Sequence, residues 1–520
     1  MNKKNKILVA VLAVLIVLVI GVFVFFLRPL IAEDDTPDTE PAVTQEGETI
    51  GLLGKYQVYK KLNRSDIQRI FVHNSVDEYA FVRDKTGAFV IEGMEDLPYN
   101  EKLFSALLSV VGNPLALVKV DADDSGYEEY GIADSDVYWE VTTTGGETYR
   151  MIIGYETHTA GGYYVAYENR KAVYVLGGDI STALETTESG NTLDLTVMKP
   201  IEYYVTPVLV AGIEQNDFYM MNKFSVFKDG EVFMSTLITD KKEQVNPDAI
   251  VEYHLIYPAA YQTNDDVYLP VLQAVSVLGG TSVVKADAVA DEDFAAYGLA
   301  EPKYMISFEY KEADYVILVS EKQEDGTYYA TSSFSPTVVV KVPGDTLSFL
   351  EEDLLYWIMP NPFSYSITAV EKISVSGKDT DLEFYLRHGI DSKNKATLVV
   401  DAINNLTGEN RTISDADRVW DFRSAYRTML YTQIEEEAPL TEAQIDELTA
   451  DESRRVLKFE YTLTSGKKRV LEFWQYSTRR TLITIDGEGQ YYVYLDRANK
   501  LLSDYNKVWK GETVDSHAKD

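Results

Sequence analysis

Residues that could do chemistry are sparse in this chain, and few stand at a spacing that a reaction requires. The five histidines, His73, His158, His254, His388 and His517, form no His-x-x-x-His or His-Glu-x-x-His pair, the spacings that place two metal ligands on one helix face. The chain has no cysteine, which excludes structural disulfides, thiolate catalysis and cysteine-ligated metals. We interpret the histidines as surface or hairpin residues and expect no metal and no cofactor.

The motifs of nucleotide-binding and hydrolytic enzymes are missing too. The sequence contains no G-x-x-x-x-G-K-[ST] phosphate loop, no G-x-G-x-x-G between a strand and a helix, and no G-x-S-x-G nucleophile turn. A Ser-x-x-Lys stands at Ser516–Lys519, but a chain terminus cannot give an acylating serine the rigid, dry site that it needs. We therefore expect no catalytic residues. If an ATPase acts together with this protein, it must be another chain.

One acidic segment, DADDSGYEEY, resembles the start of a calcium-binding loop. Asp121, Asp123, Ser125 and Gly126 match the first, third, fifth and sixth positions of an EF-hand, but Ile132 stands where a bidentate glutamate is needed. We interpret the segment as a solvated acidic turn. A glycosidase with two catalytic carboxylates remains a possible function, because the 83 Asp and Glu residues offer many pairs. Their spacing does not indicate which pair would act.

Net charge and aromatic content narrow the possible partners. The formal net charge is −35, and an acidic surface repels phosphate backbones, so we expect no nucleic-acid partner. The chain also has 37 tyrosines, and exposed rings could stack on sugars, as in a cell-wall or glycan-binding module. Alternating strands favour tyrosine through β-propensity alone, and we interpret most of these rings as core and cross-strand packing.

A short pattern occurs twice, 167 positions apart. The stretch YGIADSDVYWEV contains Tyr130 and Gly131, and YGLAEPKYMISFEY contains Tyr297 and Gly298. In each copy the tyrosine-glycine pair stands between a short strand and a hairpin of alternating apolar and polar residues. We interpret the pair as a structural corner, in which glycine supplies a positive φ and the tyrosine ring packs on the sheet edge.

Pairs of adjacent tyrosines recur in step with this pattern. The three pairs, 165 and 163 residues apart, are Tyr163-Tyr164, Tyr328-Tyr329 and Tyr491-Tyr492. Each pair belongs to a hairpin that follows a helical run, and the period predicts three repeat units over residues 61–198, 199–362 and 363–510. The third unit lacks a clear tyrosine-glycine pair.

The N-terminal segment has a different composition. Ile7–Leu27 is a run of 21 residues without a polar side chain, about 31 Å as a helix, which matches the hydrocarbon core of a bilayer. Lys3, Lys4 and Lys6 precede it, so the positive-inside rule places residues 1–6 in the cytoplasm. The long apolar run favours an uncleaved anchor over a signal peptide.

The complete prediction is an α+β fold with one N-terminal transmembrane helix and three repeated units of antiparallel β-hairpins, each with one main covering helix. Residues 28–60 are predicted to form an acidic tether and residues 511–520 a disordered tail. The protein would then be a single-pass protein of the bacterial cell membrane, with its N-terminus cytoplasmic and most of its chain extracellular.

These features resemble domain-of-unknown-function family 4340. The resemblance rests on the N-terminal helix, the Y-G-[IL] corner, the [IL]-I-G strand end at Gly154 and the G-x-Y-Y-V-A hairpin. It covers residues 66–197 well and 201–364 moderately, and the second unit departs from the pattern with Ser320 in place of that glycine. Members of the family are often encoded beside ABC transporters of the gliding-motility type. The resemblance therefore implies an accessory role at a transporter or in the cell envelope.

Three functions remain open at this point. The leading one is a non-enzymatic accessory or scaffold component that docks on a membrane protein such as an ABC permease. A cell-wall or glycan-binding module would instead present exposed aromatic rings along one face. A carboxylate-dependent envelope hydrolase would need two acids that converge in a deep pocket with perturbed pKa values.

Overall fold

The computed structural model describes residues 48–50, 56–116, 118–121, 123–157, 162–177, 199–241, 251–414 and 418–515. The chain divides into two compact units: unit 1 is Met1–Phe81 with Ser105–Met198, and unit 2 is Val82–Phe104 with Lys199–Asp520. Both units consist mainly of antiparallel strands connected by short turns.

The strands alternate apolar and polar residues, the pattern that a sheet with one buried face requires. The first eleven are β1 (Thr49–Ile50), β2 (Tyr56–Gln57), β3 (Ile67–His73), β4 (Glu78–Arg83), β5 (Phe89–Ile91), β6 (Leu115–Ala116), β7 (Val118–Asp121), β8 (Tyr138–Thr143), β9 (Thr148–Glu156), β10 (Gly162–Tyr167) and β11 (Val173–Gly177). The next eight are β12 (Asn222–Lys228), β13 (Glu231–Ile238), β14 (Tyr253–Tyr257), β15 (Ser282–Lys285), β16 (Tyr304–Tyr310), β17 (Ala313–Val319), β18 (Thr327–Ser332) and β19 (Ser335–Pro343). The last eight are β20 (Val370–Gly377), β21 (Thr380–Ile390), β22 (Ala396–Asn404), β23 (Glu409–Ile413), β24 (Arg455–Leu463), β25 (Lys468–Gln475), β26 (Arg480–Ile485) and β27 (Glu488–Tyr494).

The helices are fewer and mostly short. They are α1 (Glu101–Gly112), α2 (Asp265–Ser276), α3 (Asp291–Ala295), α4 (Leu354–Trp357), α5 (Val419–Leu430), α6 (Glu442–Ala450) and α7 (Leu495–Lys510). Short 3-10 helices lie at Arg64–Asp66, Ile201–Tyr204, Phe218–Met220, Gly344–Leu350, Ile367–Ala369 and Glu452–Arg454. The longest helix, α7, buries Leu501, Tyr505 and Val508 at helical spacing and ends at Gly511, whose φ of 72° suits glycine.

The strands form four antiparallel sheets, one of three strands and three of eight. The small sheet has the order β1-β2-β6. Sheet 1 runs β5-β4-β3-β8-β9-β10-β11-β7, and sheet 2 runs β14-β13-β12-β16-β17-β18-β19-β15. Sheets 1 and 2 each contain a four-stranded meander, β8–β11 and β16–β19. The strand at the edge next to each meander, β7 or β15, comes before that meander in the sequence. Sheet 3 runs β23-β22-β21-β20-β24-β25-β26-β27 and ends on the meander itself.

The predicted α+β fold class is wrong. Strands hold 41% of the described residues and helices 22%, so the fold is mainly β. The described strands form four sheets, which differs from the predicted three hairpin units behind a transmembrane helix. The sequence also predicts one main covering helix for each unit, but the helices among the described residues have only 4 to 16 residues. The small sheet depends on β1 and β2, whose two residues each are too few to show an alternating pattern.

The predicted membrane placement also needs correction. No helix of the described residues is long and apolar enough to cross a membrane; α7 has 16 residues and charged side chains along its length. The predicted single-pass placement, with a cytoplasmic N-terminus and an extracellular body, is therefore not supported. The segments for which it was predicted, residues 1–6 and 7–27, lie outside the described residues, as does the tether up to residue 47.

Candidate functional site

The two tyrosine-glycine corners have the same backbone geometry. Gly131 has φ of 70° and Gly298 has φ of 68°, a region that residues with a Cβ rarely enter. The amide of the residue after each glycine donates to a carbonyl five positions earlier, over 2.7 Å from Ile132 to Tyr127 and 2.9 Å from Leu299 to Phe294. This is the Schellman ending of a helical turn, in which the apolar residue after the glycine packs inward. Both of these apolar residues are buried.

Corner 1, Tyr130-Gly131, lies against strand β9. The amide of Tyr155 donates to the Tyr130 carbonyl over 3.0 Å. A Cβ on Gly154 would stand 2.2 Å from that same carbonyl oxygen. Glycine is therefore the residue that allows the strand and the corner to approach so closely.

Corner 2, Tyr297-Gly298, is less tightly packed, and the residue that matches Gly154 there is Ser320. A Cβ on Gly298 would stand 3.6 Å from the Cβ of Ser320, an ordinary contact. The buried Ser320 hydroxyl donates to the Glu321 carbonyl over 2.8 Å and accepts from the Tyr329 amide over 3.0 Å. At corner 2, therefore, the residue that matches Gly154 is a serine whose side chain is hydrogen-bonded to β18.

Each corner tyrosine packs against the second tyrosine of an adjacent pair. The ring centroids of Tyr130 and Tyr164 are 4.6 Å apart, and those of Tyr297 and Tyr329 are 5.0 Å apart. Both distances lie in the range in which aromatic rings attract each other. Two sets of residues that were singled out separately, the corners and the hairpin tyrosines, therefore meet in sheets 1 and 2.

The first tyrosines of these pairs and the third pair lie elsewhere. Tyr163 is half-buried in β10, whereas Tyr328 is fully buried in β18. Tyr491 and Tyr492 lie on β27, the last strand of its meander, whereas the other two pairs lie on the third strand. Tyr492 packs against Tyr494 at 5.7 Å, and no corner accompanies it.

An open cleft lies beside each corner. Cleft 1 has a volume of about 390 Å³, and its walls include Gly131, Glu128, Asp134, Ser135 and Tyr155. Cleft 2 has a volume of about 790 Å³, and its walls include Tyr297, Gly298, Asp229, Glu301, Lys303 and Ser320. Clefts of this size accommodate a short segment of a partner or a small ligand. The corners thus form part of the walls of two concave surfaces on different sheets.

One ion pair neutralises part of the charge in cleft 2, whereas the charged residues in the walls of cleft 1, Glu128 and Asp134, are both acidic. In cleft 2 the Lys303 ammonium donates to both carboxylate oxygens of Asp229 over 2.8 Å, and this hydrogen bond raises the pKa of Lys303. In cleft 1 the Ser135 hydroxyl donates to the Ile153 carbonyl. Such groups can orient a polar ligand, but none forms the nucleophile-base pair of an enzyme.

The residues of the acidic turn and two of the histidines form local hydrogen bonds and ion pairs. In the acidic turn the Ser125 amide donates to Asp123 over 2.9 Å, and Lys171 pairs with Asp124 at 2.9 Å. Nδ1 of His73 lies 2.7 Å from the Asp136 carbonyl oxygen, and that of His254 lies 3.0 Å from the Thr239 hydroxyl. No group of three or more potential ligands for a metal occurs among the described residues.

The remaining candidates have no place in either cleft. The described His388 lies near the Val370 carbonyl, while His158, His517 and Ser516–Lys519 lie outside the described residues. Burial raises the pKa of Asp265, but this carboxylate accepts a hydrogen bond from Thr263 at the start of α2. A partly open cavity beside Arg469 has about 50 Å³, enough for a few water molecules.

The ion pair between Lys341 and Asp325 connects β19 to the turn before β18, the strand that contains Tyr329. Its removal should change the pKa of Asp325. The hydrogen bond from Lys341, with that from Thr327, holds the pKa of Asp325 at about 2 instead of the usual 3.8. This stabilises the folded state above about pH 4, and the contribution is lost as the pH falls towards 2. We expect Lys341→Met to raise the pKa of Asp325 towards 3.8, measured by NMR titration of the carboxyl carbon.

The control for this titration is Lys322→Met, because Lys322 lies on the same hairpin but pairs with Glu351 at 2.9 Å. It should leave the pKa of Asp325 at its wild-type value. An unchanged pKa in Lys341→Met would show that the local turn, rather than the ion pair, determines it.

The fold and its clefts define a class of protein: a mainly β chain whose large antiparallel sheets present open concave surfaces, with no arrangement of groups that is typical of an enzyme in the described residues. No protein-family model and no curated protein matches the chain.

Proposed function

We propose that the protein is a non-enzymatic accessory or scaffold component of a multiprotein assembly. The observation that carries this proposal is the recurrence of an open cleft beside the same tyrosine-glycine corner in sheets 1 and 2. An enzyme gains most from a water-excluding site with groups directed at the reacting atoms. A binding surface needs only a firm concave shape with polar groups at its margin.

The walls of the clefts are held in place before any partner arrives. Each corner is closed by backbone hydrogen bonds and by a tyrosine ring pair, and cleft 1 is fixed further by the contact at Gly154. A surface that is already ordered loses little conformational entropy on binding, which favours affinity. The partner class that agrees with the family resemblance is a subunit of an ABC-type transporter, such as its permease.

Cross-linking from inside the clefts tests this proposal. We would place a photo-cross-linking amino acid at Tyr155 in cleft 1 or Glu301 in cleft 2 of the full-length protein, irradiate cells, and identify the products by mass spectrometry. We expect the same partner from one or both positions, and capture of a permease or ATPase would identify the assembly. Leu406, which is 63% exposed on the β22–β23 turn, is the matched control position.

Two results would contradict the proposal. Products from the cleft positions that equal those from position 406 would show that the clefts bind no specific partner. Turnover of a small substrate by the purified protein, lost on substitution of a cleft acid such as Glu301, would show that it is an enzyme.

A glycan-binding module is the second candidate, and one residue favours it. The ring of Tyr155 is 63% exposed at the wall of cleft 1, and an exposed aromatic ring is a platform on which a sugar can stack. The other strongly exposed rings lie on separate elements, such as Trp420 on α5 and Tyr257 at the end of β14. We expect retention on an immobilised oligosaccharide to be lost in Tyr155→Ala if this candidate is correct.

A further inference from the structure

Helix α5 in unit 2 has one face packed in the core and one face in solvent. Its buried face contains Val419, Phe422, Ala425, Tyr426 and Met429. The opposite face consists of Trp420, Arg423, Arg427 and the residue after the helix, Tyr431, and we call these four residues the α5 face.

The two aromatic residues of the α5 face are unusually exposed. Trp420 is 70% exposed and Tyr431 is 64% exposed. Large rings left in water forgo the favourable free energy of burial, and tryptophan, tyrosine and arginine are the residues that dominate the binding energy of protein interfaces. The composition of this face is therefore that of a binding surface.

The two arginines of the α5 face have no acidic partner among the described residues, although the chain carries 83 Asp and Glu residues against 48 Lys and Arg. Other arginines nearby are paired: Arg418 with Asp421 at 2.8 Å, and Arg497 with Glu435 at 2.5 Å. The Asp421 carboxylate also accepts from the Val514 amide over 2.9 Å and is buried. It is thus occupied on the core side of the helix.

We propose that the α5 face docks an extended, acidic segment of a partner protein. Residues four apart on a helix are about 6 Å apart, so Arg423 and Arg427 present two guanidinium groups at that spacing. Side chains on one face of an extended chain repeat every 6.4–6.8 Å, roughly the same distance. Two carboxylates at alternate positions of such a segment can therefore bind the two arginines, each through paired hydrogen bonds.

The rings at the ends of the α5 face define the rest of the segment. Trp420 and Tyr431 are eleven positions apart, about 16 Å along the helix axis, which corresponds to about five residues of extended chain. The partner segment should therefore carry apolar side chains on both sides of its two acids. A nucleic acid is a poor alternative, because the net charge of −35 repels phosphate.

This inference is independent of the clefts, because it concerns a different surface and uses different residues. Binding would be measured with the full-length protein and a labelled synthetic peptide that has two Asp at alternate positions and a Leu or Phe on either side. The matched control peptide carries Asn in place of both Asp residues. We expect the acidic peptide to bind at least tenfold more tightly than the control, with an affinity that falls as salt is added.

Variants of the α5 face should then remove the binding. We expect Arg423→Gln/Arg427→Gln to lose at least tenfold in affinity and most of the salt dependence, and Trp420→Ala to lose at least tenfold with the salt dependence kept. Tyr155→Ala, in cleft 1, should bind the peptide like the wild type. Because Trp420, Arg427 and Tyr155 are exposed and Arg423 is only half-buried, circular dichroism and hydrogen exchange should show a native fold.

Several outcomes would overturn the proposal. Equal binding of the two peptides, or no binding of either, would exclude an acidic partner segment. Wild-type affinity in the double arginine variant would place the peptide at another surface. If the wild type is dimeric in sedimentation and Trp420→Ala is monomeric, a second copy of this chain covers the face instead.

Discussion

Replacing Glu48 with glutamine is expected to lower the free energy of unfolding of unit 1 by about 3–5 kcal/mol, the range for a buried ion pair that loses one partner. The Glu48 side chain is 0% exposed and that of Lys119 is 7% exposed, with 3.0 Å between the carboxylate and the ammonium. The neutral amide would remove the counter-charge that Glu48 supplies to the buried Lys119 ammonium. A charge in that position is far more costly than one in water.

The environment of Glu48 explains why the effect should be large. Its second carboxylate oxygen accepts a hydrogen bond from the Tyr174 hydroxyl over 2.6 Å, and burial together with this carboxylate raises the pKa of Tyr174. Glu48 directly precedes β1, whereas Lys119 lies on β7 and Tyr174 on β11. One carboxylate thus connects the start of the small sheet to the last two strands of sheet 1.

Hydrogen exchange measured on peptides from β7 and β11, across a urea series, would report the stability of unit 1 separately from unit 2. Glu147→Gln is the matched control, because Glu147 pairs with Lys60 at 2.8 Å with both side chains 58% exposed, and exposed pairs contribute little. The double variant Glu48→Leu/Lys119→Met should recover most of the loss, since it removes both buried charges. A loss in Glu48→Gln no larger than in Glu147→Gln would show that the buried network does not stabilise the unit.

Local sequence patterns located much of the secondary structure. The alternation in VYWEVTTT and TYRMIIG corresponds to β8 and β9, and the helical run YNEKLFSALLSVVG contains α1. These patterns succeed because a half-buried strand or helix shows its period within a single segment.

The backbone of the corners could have been predicted in more detail. In EEYGI and FAAYGL a glycine followed by an aliphatic residue ends a helical turn, which is the signature of a Schellman motif.

These local patterns do not predict contacts between segments that are distant in the sequence. The pairing of Tyr130 with Tyr164 and the position of Glu48 between Lys119 and Tyr174 depend on how strands are ordered in space. The pair Tyr491-Tyr492 shows the same limit, because its sequence distance matches the other pairs while its strand is the next one along the meander. Sequence period alone does not determine strand register.

The α5 face shows a different limit. The run SDADRVWDFRSAYRTMLY was interpreted as a covering helix, and its periodicity correctly indicates which residues can face the core. Periodicity does not indicate that an aromatic residue on the other face is left in solvent, or that two arginines have no acidic partner in the described part of the chain. These features depend on which elements surround the helix, and they are the ones that indicate binding.

Replacing Gly154 with alanine should destabilise unit 1 by about 3 kcal/mol, at the upper end of the usual cost of overpacking. The added Cβ would lie 2.2 Å from the Tyr130 carbonyl oxygen and 2.9 Å from Ile132 Cδ1. The first of these atoms belongs to the backbone, so no rotation of a side chain relieves the clash. Either β9 or the corner must move, and the 3.0 Å hydrogen bond from Tyr155 to Tyr130 would break.

Gly145→Ala is the matched control, since Gly145 lies in the turn before β9 and the nearest atom to its added Cβ is 3.8 Å away. That variant should keep wild-type stability or gain slightly, through a less flexible unfolded chain. Urea unfolding followed by hydrogen exchange in β9 and β10 would measure both. Because cleft 1 shares its wall with this corner, Gly154→Ala should also reduce cross-linking from position 155 while leaving position 301 in cleft 2 unaffected. Equal stability of the two alanine variants would mean that the corner can open at no cost, and the proposal that its walls are preorganised for binding would fail.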